Sequence, residues 1–335
     1  MNQTFVCCTT YHLYISILEA FKHKKQGDQS LLVFILDKIK DADEIIPILE
    51  KIDAFEIIVP IKAYAITDKM KKKMGLFHFL FRRSKALVKL FEEGNHGLVE
   101  HFEFLNNSEF NLFNTNRSRA YFVIKYPKAY MRMHEDGLAA YMKQISSLRI
   151  FLRKYILRFP ILKGYDDQVK EFWVQQPNKM KDKILKPKLK KLDLQQLEDG
   201  ISKVQKTLII NSFLGESPFL ISDNRALIIT QPFSEIGMMT EQEKINIYKD
   251  FIANAKSEGL SVFLKAHPGE LTNYSEVFGN DVVILPKIFP LEILNLSSDF
   301  NFKKAYTVHS SALGNLKYVD DKIFSNKFGE TIYNE

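Results

Sequence analysis

The order of hydrophobic runs predicts an α/β chain with two doubly wound domains, and three observations carry this. Strand-like and helical runs alternate across residues 5–93, the pattern of a mostly parallel sheet covered by helices. The alternation lapses between 138 and 200 and restarts at 207. Finally, 335 residues exceed the usual single-domain size, and 46% apolar content is ample for two cores and too high for a disordered chain.

Residues 5–8 read as the first strand and 11–22 as a helix, with apolar Leu13, Ile15, Ile17, Leu18 and Phe21 and with Thr9 and Thr10 suited to cap it. A strand at 31–36, a helix across 41–52 and a strand at 55–60 follow, then a basic helical region over 66–93. Residues 121–133 (YFVIKYPKAYMRM) are rich in aromatic and apolar side chains and read as a strand that dips into a core. Helical patterns rich in Lys, Arg, Leu and Gln then replace strands, and 177–200 reads as a basic connector. In the second half, strands are predicted at 207–211, 226–230, 261–266, 281–285 and 305–309. Between two of them, Thr240 and Glu243 form a capping box before a helix with apolar Ile247, Tyr248, Phe251, Ile252 and Ala255, and Gly259 stops it. The domain reading is therefore 1–150, a helical excursion and basic linker over 151–205, and a second domain over 206–335.

No apolar run reaches the ~18–20 residues of a membrane span. The N-terminal stretch lacks a basic start, and Thr9, Thr10, Tyr11 and His12 interrupt its apolar run, so it does not read as a signal peptide. Cys7 and Cys8 are adjacent, a strained geometry for a structural disulfide, which fits a reducing cytoplasm. The +7 excess of Lys and Arg is gathered in blocks at 69–85, 149–163 and 179–191, the first two interleaved with bulky apolar residues. Such blocks suit an anionic membrane surface. Solvated helix faces whose Lys stems cover core are the plainer reading, and no nucleic-acid motif accompanies the charge.

The run Met133-His134-Glu135-Asp136-Gly137-Leu138 places two adjacent carboxylates where a strand should stop. Neighbouring like charges repel, which raises the pKa of one and makes a general base; an ordinary Asp-Gly turn is the alternative. In the second half, four strand ends carry polar residues, where open α/β sheets bind ligands. These are Gln231-Pro232, His267-Pro268-Gly269-Glu270, the segment around Glu292, and His309-Ser310-Ser311. Ser310 and Ser311 either cap a helix or offer hydroxyls and amides to a phosphate. His267 is either a loop histidine or an imidazolium beside that phosphate. Glu292 and Gln231 either sit on the surface and end a strand, or bind ribose hydroxyls and a base or sugar edge. No metal-binding spacing, Walker loop or nucleophile elbow is present.

Taken in order, Glu135-Asp136-Gly137, His267-Pro268 and Ser310-Ser311 resemble the three short motifs of bacterial sialyltransferases. The N-terminal FVCCTTYHLYISILEA and the segment 289–294 look most like glycosyltransferase family 52, the lipooligosaccharide sialyltransferase group, while bacterial polysialyltransferases share the same motifs. The resemblance implies a GT-B architecture of two Rossmann-like domains facing a central cleft, the first bearing the base and acceptor and the second the nucleotide. It implies inverting, metal-independent transfer of sialic acid from CMP-sialic acid to a hydroxyl of a terminal sugar such as galactose, on a cell-surface glycan or glycolipid. Glu135 matches the base position, where many family 52 members have Asp. Asp136 matches the position supporting the turn. His267, with Pro268, would contact the CMP phosphate and assist its departure, Ser310 and Ser311 would bind that phosphate, and Glu292 and Gln231 would complete the CMP site. No cofactor is implied beyond the donor. The partners are a nucleotide sugar, a glycan acceptor and an anionic membrane surface; related enzymes can be homodimers. The location implied is cytoplasmic, peripheral on the inner face of the cell membrane. The competing readings are a GT-B transferase with a glucosyl- or glycerophosphate-type donor, and a non-catalytic basic protein that binds membranes or nucleic acid.

Overall fold

The computed structural model of the chain describes residues 1–38, 42–63, 66, 83–113, 118–136, 141, 145–156, 159–161, 164–215 and 224–325. The chain divides into two compact units, Met1–Ser202 and Lys203–Glu335.

The first unit opens with β1 (Asn2–Cys7), α1 (Thr10–Lys25), β2 (Gln29–Ile35), α2 (Ile45–Ile52) and β3 (Ile57–Ile61). Then come α3 (Arg83–Glu93), β4 (Ser108–Leu112), α4 (Ser118–Lys125), β5 (Met131–His134), β6 (Val169–Val174), β7 (Leu189–Lys191) and α5 (Leu194–Gly200). Its seven strands lie in the order β3-β2-β1-β4-β5-β6-β7, and every pairing is parallel. One sheet face carries Val6, Val33, Val59, Phe110, Leu112, Met131 and Met133 in a common core with Phe91 of α3 and Phe122 of α4. The Thr9 hydroxyl caps α1 by accepting the His12 N–H at 3.2 Å, and four basic residues in the last turn complement the helix dipole. Residues 12–21 of α1 are buried without a break, because the helix also packs on α5, where Tyr14 donates to Glu198 Oε1 at 2.6 Å.

The second unit runs α6 (Lys203–Leu214), β8 (Arg225–Ile229), α7 (Glu241–Ser257), β9 (Ser261–Lys265), β10 (Val283–Ile284), β11 (Phe302–Thr307) and β12 (Val319–Phe324). A 3-10 segment, Leu291–Leu296, precedes β11, and a short helix, Ser311–Asn315, follows it. The five strands lie in the order β10-β9-β8-β11-β12, again wholly parallel. The Thr240–Glu243 capping box is formed on both sides, and Ile247, Tyr248, Phe251, Ile252 and Ala255 are the buried face of α7.

Three segments differ from the sequence reading. The aromatic run from 121 belongs mostly to α4, and only 131–134 is strand; Tyr121 stacks on Phe91 of α3 at 4.7 Å between centroids and is buried with its helix neighbours Phe122 and Val123, which hides the helical period. Residues 207–211 lie inside α6, whose buried Ile209, Ile210, Phe213 and Leu214 recur at helical spacing despite the β-branched run. The stretch 151–205, read as a helical excursion followed by a basic linker, in fact supplies β6 and β7 to the first sheet. Val169, Phe172 and Val174 are buried there, and the flanking lysines belong to an edge. Of the basic blocks, 69–82 lies outside the described residues, as do Gly137 and Leu138. Among the described residues no helix is long and apolar enough to cross a membrane.

The β6 assignment is directly measurable. Phe172 is 2% exposed, so Phe172→Ala should cost about 3 kcal/mol or more in a denaturant-unfolding experiment, whereas the same change in a solvated connector would leave the midpoint unmoved.

Candidate active site

In a wholly parallel sheet all strand carboxyl ends emerge at one edge, and ligands bind beside the strand where the winding reverses. In the first unit that reversal lies between β1 and β4. Glu135 and Asp136 follow β5 at this edge, Tyr11 and His12 open α1 just after β1, and Gln175 follows β6. The two carboxylates do not share a site. Glu135 is 2% exposed, and each of its oxygens takes two donors. Oε1 accepts from Gln175 Nε2 at 2.6 Å and from the Tyr11 hydroxyl at 3.2 Å. Oε2 accepts the Gln175 backbone N–H at 2.9 Å and the Tyr141 hydroxyl. Burial and the bond to Glu135 push the Tyr141 phenol upward, so it stays a donor. Donors on both oxygens are what a buried carboxylate requires.

Asp136 is more open and pairs with His12, whose Nε2 lies 2.9 Å from Oδ1. Desolvation lowers the His12 pKa while Cys8 and Asp136 more than offset it, lifting it to about 9. The Cys8 backbone N–H, however, points at Nδ1 from 3.3 Å. With the ring neutral, Nδ1 accepts that N–H and Nε2–H is given to Asp136; taking up a second proton would break the Cys8 bond. His134 is a packing residue: it stacks on Phe113 at 5.0 Å between centroids, and burial, then Arg132 and His12, push it down to about 3.

In the second unit the reversal falls between β8 and β11. Thr230 and Gln231 follow β8, His267 and Pro268 follow β9, and Ser310 follows β11, so three adjacent strands deliver them to the same edge. The His267 turn is held by Glu270, which is wholly buried. Its Oε2 accepts the His267 backbone N–H at 2.8 Å and the Thr230 hydroxyl, and its Oε1 accepts the Tyr274 hydroxyl at 2.7 Å. The Gly269 N–H donates to His267 Nδ1 at 3.0 Å, which leaves the ring proton on Nε2. A Cβ on Gly269 would stand 3.2 Å from that nitrogen, so the missing side chain is what lets the backbone approach the ring.

The sequence reading left His267 open between a loop histidine and an imidazolium beside a phosphate. Burial, then Lys265 and Lys287, push it down to about 4, so at neutral pH the ring is an uncharged Nε2–H donor. Lys265 is itself buried, donates to the carbonyls of Ala266 at 2.8 Å and Lys287 at 2.7 Å, and is lowered to about 7 by burial against the pull of Glu270 and Glu292. Ser310 stands at the N-cap of Ser311–Asn315 with extended backbone and makes no side-chain capping bond. The Ser311 side chain lies outside the described residues. Glu292 is 3% exposed, with Asn315 Nδ2 at 3.5 Å. Gln231 donates its backbone N–H to the Tyr248 hydroxyl at 2.7 Å.

Sequence reasoning found the motif residues and missed what holds them: Tyr11, Tyr141 and Gln175 around Glu135, His12 on Asp136, and Thr230, Glu270 and Lys265 under His267. Glu270 carried a local signal, as the last residue of His267-Pro268-Gly269-Glu270, and Tyr11 and His12 lie in the N-terminal FVCCTTYHLYISILEA.

Among solved structures the chain is similar to the sialyltransferase of Photobacterium damsela, with a TM-score of 0.56 at 12% identity, covering 96% of this chain and 74% of that one. It is also similar to spinosyn forosaminyltransferase (TM-score 0.51, 10% identity, 98% and 81% covered). The UDP-GlcNAc 2-epimerase of Neisseria meningitidis gives a TM-score of 0.50 at 13% identity, with 93% and 79% covered. At these identities the likeness shows the fold, which is that of GT-B glycosyltransferases. The model of the alpha-2,8-polysialyltransferase family (POLYST) matches residues 5–323, and the chain belongs to that family, one of the two groups that share its three motifs. A protein of Haemophilus influenzae described as uncharacterized is 26% identical over 249 residues, 73% of this chain and 71% of that protein. Family and fold together make this a sialyltransferase-type glycosyltransferase.

The two depressed histidines define a pH dependence. An unfolded histidine takes up a proton near ~6.5, but folded His267 and His134 do so only at about 4 and about 3. The unfolded chain therefore binds more protons as pH falls below ~6.5, and this contribution to stability, complete above that value, is lost toward pH ~4. The thermal midpoint should fall over that window, and His134→Phe, which keeps the stacking, should flatten the fall.

Proposed function

We propose that the protein moves sialic acid from CMP-sialic acid to a sugar hydroxyl, with inversion and without a metal. The observation that carries this is Glu135, a buried carboxylate oriented through both oxygens, in the acidic pair of a chain belonging to the polysialyltransferase family. The acceptor oxygen forms its bond to the anomeric carbon as the bond to the CMP phosphate breaks. The electron pair leaves on the phosphate, and the hydroxyl proton passes to Glu135. Of the measured bonds to Glu135, the Tyr11 hydroxyl at 3.2 Å is the longest, and an incoming sugar hydroxyl takes its place. His267 Nε2–H and Ser310, with Ser311, Glu292, Gln231 and Pro268 completing the nucleotide site, receive the leaving CMP. Asp136 with His12 holds the turn behind the base. The family description favours a sialic-acid-terminated acceptor and an alpha-2,8 linkage; terminal galactose is the second reading, from the lipooligosaccharide resemblance. The reaction is placed in the cytoplasm, on the inner face of the membrane.

The test is incubation with CMP-sialic acid and acceptors ending in sialic acid, lactose or N-acetyllactosamine, with the linkage read by NMR. Glu135→Gln should lower turnover by about 10²–10⁴ while CMP still raises the thermal midpoint, and Tyr11→Phe should stay within about tenfold of the parent. Turnover with a UDP-sugar or CDP-glycerol instead, or loss of CMP protection in Glu135→Gln, would refute the proposal.

A further inference from the structure

Residues 147–156 form one helical stretch, an α-helical turn Ser147–Phe151 continued by the wider turn Leu152–Ile156. Leu148, Phe151, Leu152, Tyr155 and Ile156 recur at i, i+3, i+4, i+7 and i+8, the stripe with which a helix ordinarily meets a core. Here the stripe is in solvent: Leu148 is 68% exposed, Tyr155 61%, Ile156 55% and Phe151 51%. Phe151 and Tyr155 pack on each other at 5.1 Å between ring centroids. Two large residues of this stretch are partly covered: Ile150, which joins the first unit's core and anchors the segment from beneath, and Arg153, over the Phe159 ring.

Charge says what such a face meets. From Tyr141 to Tyr165 the sequence holds six bases (Lys143, Arg149, Arg153, Lys154, Arg158 and Lys163) and no acid. Arg149 and Lys154 are exposed beside the stripe, Lys154 also reaching Asp167 at 2.9 Å. Large apolar groups on a segment that carries bases and no acid of its own are the pattern of a helix lying in the headgroup layer, its rings and aliphatic groups among acyl chains and its bases at lipid phosphates. We infer that 147–156 docks the first unit on an anionic lipid bilayer. This surface is separate from Glu135 and its donors, and the inference does not depend on which sugar is transferred.

The full chain is tested by co-sedimentation with vesicles of phosphatidylcholine alone and of phosphatidylcholine mixed with phosphatidylglycerol. The mixed vesicles should bind at least about tenfold more protein, and salt should weaken the binding. The triple change Leu148→Ser, Phe151→Ser and Tyr155→Ser should lower binding about tenfold or more with the thermal midpoint unmoved. Arg149→Ser should lower it about fivefold on the mixed vesicles alone. Val204→Ser, at an exposed position of the second unit, should change nothing. Equal binding by parent and triple variant, or no preference for the anionic vesicles, overturns the inference. So does a dimer that the triple change turns into monomer in light scattering, which would assign the face to a second copy.

Discussion

Every strand pair in both sheets is parallel, and that constraint decides where chemistry can gather. Parallel strands need crossovers, the crossovers here are largely helical, and so strand carboxyl ends and helix amino ends meet along one edge of each sheet. Glu135, Asp136, Tyr11, His12 and Gln175 are distant in sequence but all lie on that edge of the first unit. His267, Thr230, Gln231 and Ser310 do the same in the second. The sheet interior, by contrast, is filled with Val, Ile, Leu and Phe, which hold the edge in place without taking part.

Each motif residue is then set by burial. A carboxylate cannot be taken out of water without donors, and Glu135 finds them in Tyr11, Tyr141 and the backbone and side chain of Gln175. Glu270 in the second unit obeys the same rule with Thr230, Tyr274 and the His267 amide. One carboxylate lies in the acidic pair after β5 and the other orients a turn, yet the physics of satisfying them is identical. Loss of either would leave donors aimed at an empty position.

The fold was largely legible because strand-helix alternation survives in the order of hydrophobic runs. α7 announced itself through Thr240, Glu243 and a clean helical stripe. Legibility failed in α4, where burial of consecutive aromatic and apolar residues hides the period, in α6, where the β-branched Ile209-Ile210 run reads as strand, and in β6, obscured by lysines on either side. The motif residues were legible because they come as short consecutive strings. Their supporting donors were not: Tyr11 is 124 positions from Glu135 and Gln175 is 40, a separation that only the folded sheet closes. The uncharged state of His267 was hidden because burial, Lys265 and Lys287 produce it, and none of these shows in His-Pro itself.

Lys265 has a consequence for ligand capture. With its ammonium drawn down to about 7 and the nearby imidazole to about 4, this edge of the second unit carries less positive charge than its composition implies. If a nucleotide phosphate binds there, as proposed, it would supply the counter-charge that burial withholds and make protonation of both groups easier. Uptake of hydrogen ions from the medium would then accompany nucleotide capture, and the heat released would vary with the ionisation enthalpy of the buffer.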